Sequence, residues 1–262
     1  MQKKDEKELT NSRNEHHLLL AEDNLINQKV SMKILNRAGY NVTAVGNGAE
    51  AVEVVTKDKF DLILMDIQMP EVDGYAATKE IRKLSNGYLK IPIIALTAHA
   101  LTGDREKCIQ AGMDDYLTKP IIGDKLITKV DSLLKIDRYK PEPVAEVLQN
   151  QSVIINYERL KKVSMGDVGF EEELLTSFIE DTIIKLEKMT ELVNLKDMAK
   201  IKELVHTIKG ASYSVGAQQL GDEAFAIELS CQSDDYESVF DRMNNLRKAV
   251  SETKAEIQKF LS

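Results

Sequence analysis

Short apolar runs that end in polar side chains constrain the fold of residues 16–136 more than any other feature. The clearest run is Leu62–Met65, in which four large apolar residues are followed directly by Asp66. Burying each of these side chains is favourable by ~1.5–3 kcal/mol, whereas burying an unpaired carboxylate is costly. We therefore predict that a buried strand places Asp66 at the edge of a sheet, next to a cation.

Three other apolar runs end in a similar way. Leu18–Ala21 is followed by two acids, Glu22 and Asp23, and the later runs end in Thr97 and Lys119. Ligands of open parallel sheets bind beyond the carboxyl ends of the strands. These side chains are therefore predicted to converge with Asp66 on one rim, which joins three carboxylates, a hydroxyl and an ammonium group.

Segments with helical spacing alternate with these runs. They cover residues 25–38, 49–56, 75–84, 105–111 and 125–134, and a further strand fits at residues 41–45. Asn24 and Asp73 are predicted helix N-caps. Strands alternating with helices favour right-handed crossovers between parallel strands. We predict a doubly wound α/β domain with a flavodoxin-like, five-stranded parallel sheet in the order 2-1-3-4-5.

The composition changes after Ile136. Residues 138–143 are charged and contain two prolines, which is typical of a stiffened linker, and no proline follows Pro143. From Tyr157 onwards, apolar residues recur at helical spacing. The predicted organisation is a polar N-terminal segment at 1–15, the α/β domain at 16–136, a linker at 137–152 and an all-α four-helix-bundle domain, with four or five helices, at 153–262.

Composition also argues against several classes of protein. The only cysteines are Cys108 and Cys231, one in each predicted domain, so no disulfide framework is expected and a reducing cytoplasm is predicted. A formal net charge of -8 without a basic block disfavours nucleic-acid binding. No apolar run approaches the length of a membrane span, and the start of the chain has no apolar signal core.

The predicted rim suggests phosphoryl chemistry. Glu22, Asp23 and Asp66 would repel one another without a cation, and a set of oxygen ligands suits Mg²⁺. Asp66 is then a candidate nucleophile toward phosphorus. Mg²⁺ and Lys119 would neutralise phosphoryl charge, while the Thr97 hydroxyl would donate a hydrogen bond.

Residues 16–136 resemble the receiver domains of bacterial response regulators and hybrid sensor kinases. Four motifs carry this resemblance in order: Ala21–Asn24, Asp66–Pro70 with Asp73–Gly74, Ala95–Ala98 and Asp115–Pro120. The resemblance implies that Asp66 is the phosphoacceptor and that Glu22, Asp23, Asp66 and the backbone carbonyl of Gln68 bind Mg²⁺. It further implies phosphoryl contacts from Thr97 and Lys119, a switch aromatic at Tyr116 and a cis Lys119–Pro120 bond.

The all-α region contains one distinctive helix around His206. Its apolar stripe includes Ile201, Val205 and Ile208, and at ~100° per residue His206 points about 140° away from it, toward solvent. Lys202, Lys209 and Tyr213 are predicted to share this outer face. Gly210 costs ~1 kcal/mol in mid-helix relative to alanine, which suggests that a partner surface must approach the imidazole closely.

These residues resemble the histidine-containing phosphotransfer (HPt) domain over about residues 153–262. The matching positions are His206, Lys209, Gly210, Ala211, Gly216 and Ala217. The resemblance implies that His206 is a phosphoacceptor, that Lys209 stabilises the phosphoryl group and that Gly210 gives access. For Gln219 two interpretations are open: it assists the phosphoryl group, or it is an ordinary surface glutamine.

The combined prediction is a phosphorelay protein with an upstream histidine kinase and a downstream receiver-domain protein as partners. The residues contain no kinase core, so phosphate must come from outside. Two alternatives are a metal-dependent phosphohydrolase, although Gln68 stands where a second acid is expected, and a noncatalytic scaffold. Transfer between Asp66 and His206 within one chain, homodimerisation through the receiver, and tuning of phosphoryl lifetime by Gln68 and His99 are left open.

Overall fold

The computed structural model of the 262-residue chain describes residues 12–84, 90–97, 102–136 and 154–262. The chain divides into two compact units, residues 1–146 and 147–262. His99, the predicted linker at 137–152 and most of the predicted N-terminal segment lie outside the described residues.

The first unit alternates strands and helices around one parallel sheet. The sheet order is β2-β1-β3-β4-β5, and every neighbouring pair is parallel, which confirms the predicted fold class. The elements are β1 (His17–Ala21), α1 (Leu25–Ala38), β2 (Asn41–Val45), α2 (Gly48–Lys57), β3 (Leu62–Asp66), α3 (Gly74–Lys83), β4 (Ile93–Thr97), α4 (Thr102–Ala111), β5 (Asp115–Thr118) and α5 (Gly123–Leu134).

The central strands β3 and β4 are apolar up to their last residue, as expected for a doubly wound sheet in which helices cover both faces. Every residue of β3 and β4 is buried. On one face, Ile63 and Met65 of β3 belong to the same fully buried cluster as Ala77 and Ile81 of α3. Each apolar run therefore ends at the edge of a packed core, where its polar residue meets the rim.

Side-chain caps set the starts of two helices beside the rim. The Asn24 side chain accepts hydrogen bonds from the backbone N–H groups of Ile26 and Asn27, and Asp73 accepts one from Ala76. Both predicted N-caps are confirmed. The Lys119–Pro120 peptide bond, at the end of β5, is cis.

The second unit is helical throughout its described residues. Its elements are α6 (Tyr157–Ser164), α7 (Val168–Asn194), α8 (Met198–Val215), α9 (Gln218–Gln232) and α10 (Tyr236–Phe260). The four long helices pack α7 with α8, α8 with α9, α9 with α10 and α10 with α7. Their shared core includes Phe178, Val205, Leu220 and Leu246, all fully buried. The prediction of an all-α bundle is confirmed.

Gly216 ends α8 at a point of close backbone contact. Its φ is +84°, and a Cβ atom there would lie 2.8 Å from the carbonyl oxygen of Asn156. Asn156 donates its backbone N–H to the Gly216 carbonyl and accepts a hydrogen bond from Arg159 N as the cap of α6. The short helix α6 is therefore held against the end of α8.

In the part of the chain that the structure describes, no helix combines the length and apolar composition needed to cross a membrane.

Candidate functional site

The structure brings three rim carboxylates together. Adjacent strands β1 and β3 place them there, since Ala21, the last residue of β1, pairs with Met65, the residue before Asp66. One ligand oxygen from each of Glu22, Asp23 and Asp66 lies within 4.8 Å of the others. Glu22 and Asp66 are buried, and Asp23 is half-buried.

Lys119 follows the end of β5 and contacts two of these carboxylates. Its Nζ lies 2.5 Å from Asp66 Oδ2 and 2.7 Å from Glu22 Oε2. Burial lowers the pKa of Lys119, but the charges of Asp66 and Glu22 outweigh that effect and raise it above its ordinary value. The ammonium group therefore stays protonated and stabilises both carboxylates.

One lysine does not balance three carboxylates. Burial, followed by the nearby charge of Glu22, raises the pKa of Asp66 well above its ordinary value, despite the opposing effect of Lys119. A second cation beside Asp66 would favour its ionised form. The carboxylate oxygens present are the ligands that Mg²⁺ prefers, so the residues of the rim fit this metal.

The loop after β3 orients Asp66. The backbone N–H of Gln68 donates to Asp66 Oδ1 at 3.1 Å, whereas the Gln68 side chain is exposed. Gly74 passes directly behind the same residue, where a Cβ atom would lie only 2.2 Å from the Asp66 carbonyl oxygen. With Lys119 on Oδ2, both side-chain oxygens and the backbone of Asp66 are thereby positioned.

Thr97 ends β4 at the same rim. It is buried, and its carbonyl accepts a hydrogen bond from the Lys119 backbone N–H at 2.7 Å. Tyr116 in β5 is half-buried, and its ring centroid lies 5.6 Å from Lys129 Nζ. The structure therefore places Thr97 beside the carboxylate–lysine group and Tyr116 on the flank of the edge strand.

His206 lies on α8 and faces a carboxylate from α9. Its Nδ1 is 2.5 Å from Glu228 Oε1, and the imidazole side chain is 20 % exposed. Because a carboxylate only accepts hydrogen bonds, Nδ1 carries the proton and donates it. In the neutral imidazole, Nε2 then keeps its lone pair as the nucleophilic nitrogen.

The predicted exposure of Lys209 is wrong. Lys209 is buried, its Nζ lies 2.5 Å from Glu228 Oε2, and it sits 5.5 Å from the centroid of the Phe225 ring. The outer face of α8 was expected to be uncovered, but α9 packs against it. Helical spacing shows which residues share a face and cannot show what another helix presents to that face.

Glu228 is a residue of this site that was not predicted from the sequence. Burial raises its pKa, but hydrogen bonds from His206 and Lys209 outweigh this and lower the pKa to about 2. It is therefore a buried, permanently ionised carboxylate near neutral pH. An acid on the buried stripe formed by Ala224, Ile227 and Cys231 was the available signal, because such a position normally holds an apolar side chain.

Two further predicted residues, Tyr213 and Gln219, form hydrogen bonds with other partners. Tyr213 covers Gly221, where a Cβ atom would meet the ring at 2.4 Å, and its hydroxyl donates to Asp222 at 2.8 Å. Gln219 is exposed and donates to Glu252 of α10. Gly210, one turn after His206, is half-buried.

Comparison with protein families identifies two domains in the chain. The response regulator receiver domain matches residues 18–131, and the Hpt domain matches residues 173–256. The sensor protein GacS of Pseudomonas syringae pv. syringae is 30% identical over 245 residues, covering 91% of this chain and 27% of that protein. The sensor protein EvgS of Escherichia coli K12 is 27% identical over 244 residues, covering 93% and 19%.

The chain thus spans about a quarter or less of the length of these two sensor proteins. Among solved structures, the receiver domain of a sensor histidine kinase from Pseudomonas aeruginosa, with magnesium in its active-site cleft, is 47% identical. The match covers 46% of this chain and 98% of the solved receiver domain, with a TM-score of 0.44. Residues 18–131 therefore belong to the response regulator receiver family and residues 173–256 to the Hpt family.

Proposed function

We propose that this chain carries phosphoryl groups in a phosphorelay, through Asp66 of the receiver and His206 of the Hpt domain. The observation that carries the proposal is that two candidate nucleophiles, Asp66 and His206, are each oriented by charged neighbours. Asp66 lies among two further carboxylates and an ammonium group, and His206 is held by a buried carboxylate at Nδ1. The partners we propose are an upstream histidine kinase and a downstream receiver-domain protein.

At the receiver, an Asp66 oxygen attacks the phosphorus of a kinase phosphohistidine. The P–O bond forms, the P–N bond breaks, and the electron pair returns to the leaving imidazole. Glu22, Asp23, Asp66 and the Gln68 carbonyl would hold Mg²⁺, which supplies charge neutralisation for the phosphoryl oxygens. Lys119 contributes a second positive charge, and the Thr97 hydroxyl donates to a phosphoryl oxygen.

At the Hpt domain, His206 Nε2 attacks the phosphorus of a receiver aspartyl phosphate. The P–N bond forms, the P–O bond to the aspartate breaks, and its electron pair restores the carboxylate. The proton stays on Nδ1, where Glu228 stabilises the positive charge that develops on the imidazole ring. Gly210 leaves space beside the imidazole for the partner receiver.

Lys209 acts through Glu228 in this proposal. Its ammonium group is buried and bonded to Glu228 Oε2, while the other oxygen of the same carboxylate binds His206. This arrangement supports a positioning role for Lys209, instead of the direct phosphoryl contact implied by the family resemblance. Lys209 thus helps to hold the acceptor of the imidazole proton in place.

The proposal is tested by phosphoryl labelling of wild type, Asp66→Asn and His206→Gln. Labelled phosphate is supplied by a small acyl phosphate for Asp66 and by a phosphorylated receiver domain for His206. We expect base-labile label on Asp66 and acid-labile label on His206, each lost only in its own variant. Absence of both labels from the wild-type chain would refute the proposal, and steady release of phosphate from ordinary monoesters would favour a hydrolase.

Phosphorylation is further proposed to bias the Thr97–Tyr116 region between two states, because both residues flank the Lys119 end of the sheet. The expected result is a change in the amide NMR signals of Thr97 and Tyr116 when a phosphate mimic saturates the receiver with Mg²⁺. Unchanged signals at both amides would contradict it. The compartment we propose is the cytoplasm, because the sequence contains only two cysteines, Cys108 and Cys231, one in each compact unit, which is typical of a reducing environment.

A further inference from the structure

Glu22 is held at both of its side-chain oxygens. It is 1% exposed, and its Oε2 lies 2.7 Å from Lys119 Nζ. Its Oε1 accepts a hydrogen bond from Asn27 Nδ2 at 3.0 Å. Lys119 is shared between Glu22 and Asp66, so its contact with Glu22 depends on what else binds Asp66. The hydrogen bond from Asn27 is made to the other oxygen of Glu22 and does not involve Asp66.

Asn27 is placed for this contact by the start of α1. Its backbone N–H donates to the Asn24 side chain, which caps the helix, so the first turn is fixed relative to the end of β1. The Asn27 side chain is buried and reaches back to Glu22, five residues earlier. A carboxamide N–H₂ donates to a carboxylate without adding charge to an already acidic group.

We propose that Asn27 is a positioning residue for the metal site of the receiver. It fixes the Glu22 carboxylate through Oε1, so that Oε2 faces the cluster formed with Asp23 and Asp66, and it touches neither metal nor phosphoryl group. The inference rests on the proposed function of this rim. Outer-sphere partners of this kind change metal affinity by roughly 10–100-fold when they are removed.

The test is a calorimetric Mg²⁺ titration of the full chain, without phosphate, for wild type, Asn27→Ala and Asn27→Leu. Both substitutions remove the donor, and leucine retains most of the side-chain volume. The matched control is Ser31→Ala, one turn later on α1. The Ser31 hydroxyl is buried and has no hydrogen-bond partner among the described residues, so its removal breaks no such contact. We expect the Mg²⁺ Kd to rise about 10-fold or more in both Asn27 variants and to stay unchanged in the control.

Labelling of Asp66 by a small acyl phosphate gives a second readout. The Mg²⁺ concentration for half-maximal labelling should rise in the Asn27 variants, while the rate at saturating Mg²⁺ stays close to that of wild type. Circular dichroism checks that each variant is folded. If Asn27→Leu does not fold, Asn27→Ala alone tests the inference. A lower Tm with an unchanged Mg²⁺ Kd would overturn the inference, whereas Mg²⁺ binding by wild type without labelled Asp66 would instead overturn the proposed function.

Discussion

At the scale of single residues, Glu228 links the two parts of the Hpt site. One of its oxygens binds His206 Nδ1 and the other binds Lys209 Nζ, each at 2.5 Å. Lys209 and Glu228 are both buried, and buried charges persist in proteins when they are paired and hydrogen-bonded. The imidazole therefore depends on a buried ion pair, and removing one member of that pair would leave an uncompensated charge in the core.

Replacing Glu228 by alanine should damage folding and phosphotransfer together. The change leaves the Lys209 ammonium buried without its carboxylate, which costs roughly 3–5 kcal/mol of unfolding free energy. It also removes the acceptor at His206 Nδ1, so labelling of His206 by a phosphorylated receiver should slow. Urea unfolding and initial labelling rates measure the two effects.

Glu228→Gln and Glu203→Ala serve as controls for this experiment. Glutamine keeps the shape and one acceptor oxygen, so it should lose less stability than alanine. Glu203 is an exposed acid on the same helix as His206, and its substitution should change neither measurement. Wild-type stability in Glu228→Ala would contradict the buried ion pair.

The low pKa of Glu228 also predicts a pH dependence of stability. Its pKa is lowered from 4.5 to about 2 in the folded state. Between these two pH values, the Glu228 carboxyl group therefore binds fewer protons in the folded chain than in the unfolded chain. The resulting stabilisation is fully present above pH ~4.5 and is lost as the pH falls toward 2. The difference in unfolding free energy between wild type and Glu228→Gln should therefore shrink as the pH falls from about 4.5 toward 2.

At the scale of elements, the ends of the strands and the loops after them build the receiver site. The strand β3 ends with Asp66, and the following loop returns so closely that the Gly74 N–H donates to the Ile67 carbonyl. The helix α3 begins immediately afterwards, with Asp73 as its cap. A side chain at Gly74 would therefore act on the backbone of Asp66 itself.

Gly74→Ala should weaken both the receiver fold and the labelling of Asp66. The new Cβ would lie 2.2 Å from the Asp66 carbonyl oxygen, and relieving such overpacking typically costs ~1–3 kcal/mol. The matched control is Gly46→Ala, in which the nearest atom to the Cβ is Glu50 Oε2 at 3.7 Å. Unfolding curves and acyl phosphate labelling that are equal in the two variants would argue against the close approach.

At the scale of the whole molecule, the chain consists of two compact units with different architectures. The receiver core lies between a parallel sheet and its helices, and the Hpt core lies among four long helices. Each unit has its own buried apolar residues and its own candidate phosphoacceptor. A domain with its own core can fold as a separate unit.

We expect calorimetry of the full chain to resolve two unfolding transitions, each reproduced by one isolated half, residues 1–146 or 147–262. Gly74→Ala should lower only the receiver transition, and Glu228→Ala only the Hpt transition, because the two residues belong to different compact units, each with its own buried core. A single transition that shifts in both variants would show that the units unfold together.

Much of this architecture was determined by the sequence alone. The apolar runs and helical spacing predicted the sheet order, and the caps Asn24 and Asp73 followed from local hydrogen-bonding chemistry. The rim of Asp66, Glu22 and Lys119 was also predictable, because the carboxyl ends of parallel strands meet at one edge of a sheet.

Only the tertiary structure decided the partners within each site. The bonds of Glu228 to His206 and Lys209 depend on how α9 packs against α8, and the burial of Lys209 follows from the same packing. The approach of Gly74 to Asp66 depends on the path of a loop. Periodicity and composition describe one element at a time, whereas these contacts depend on the distance between elements, which the packing of the whole core sets.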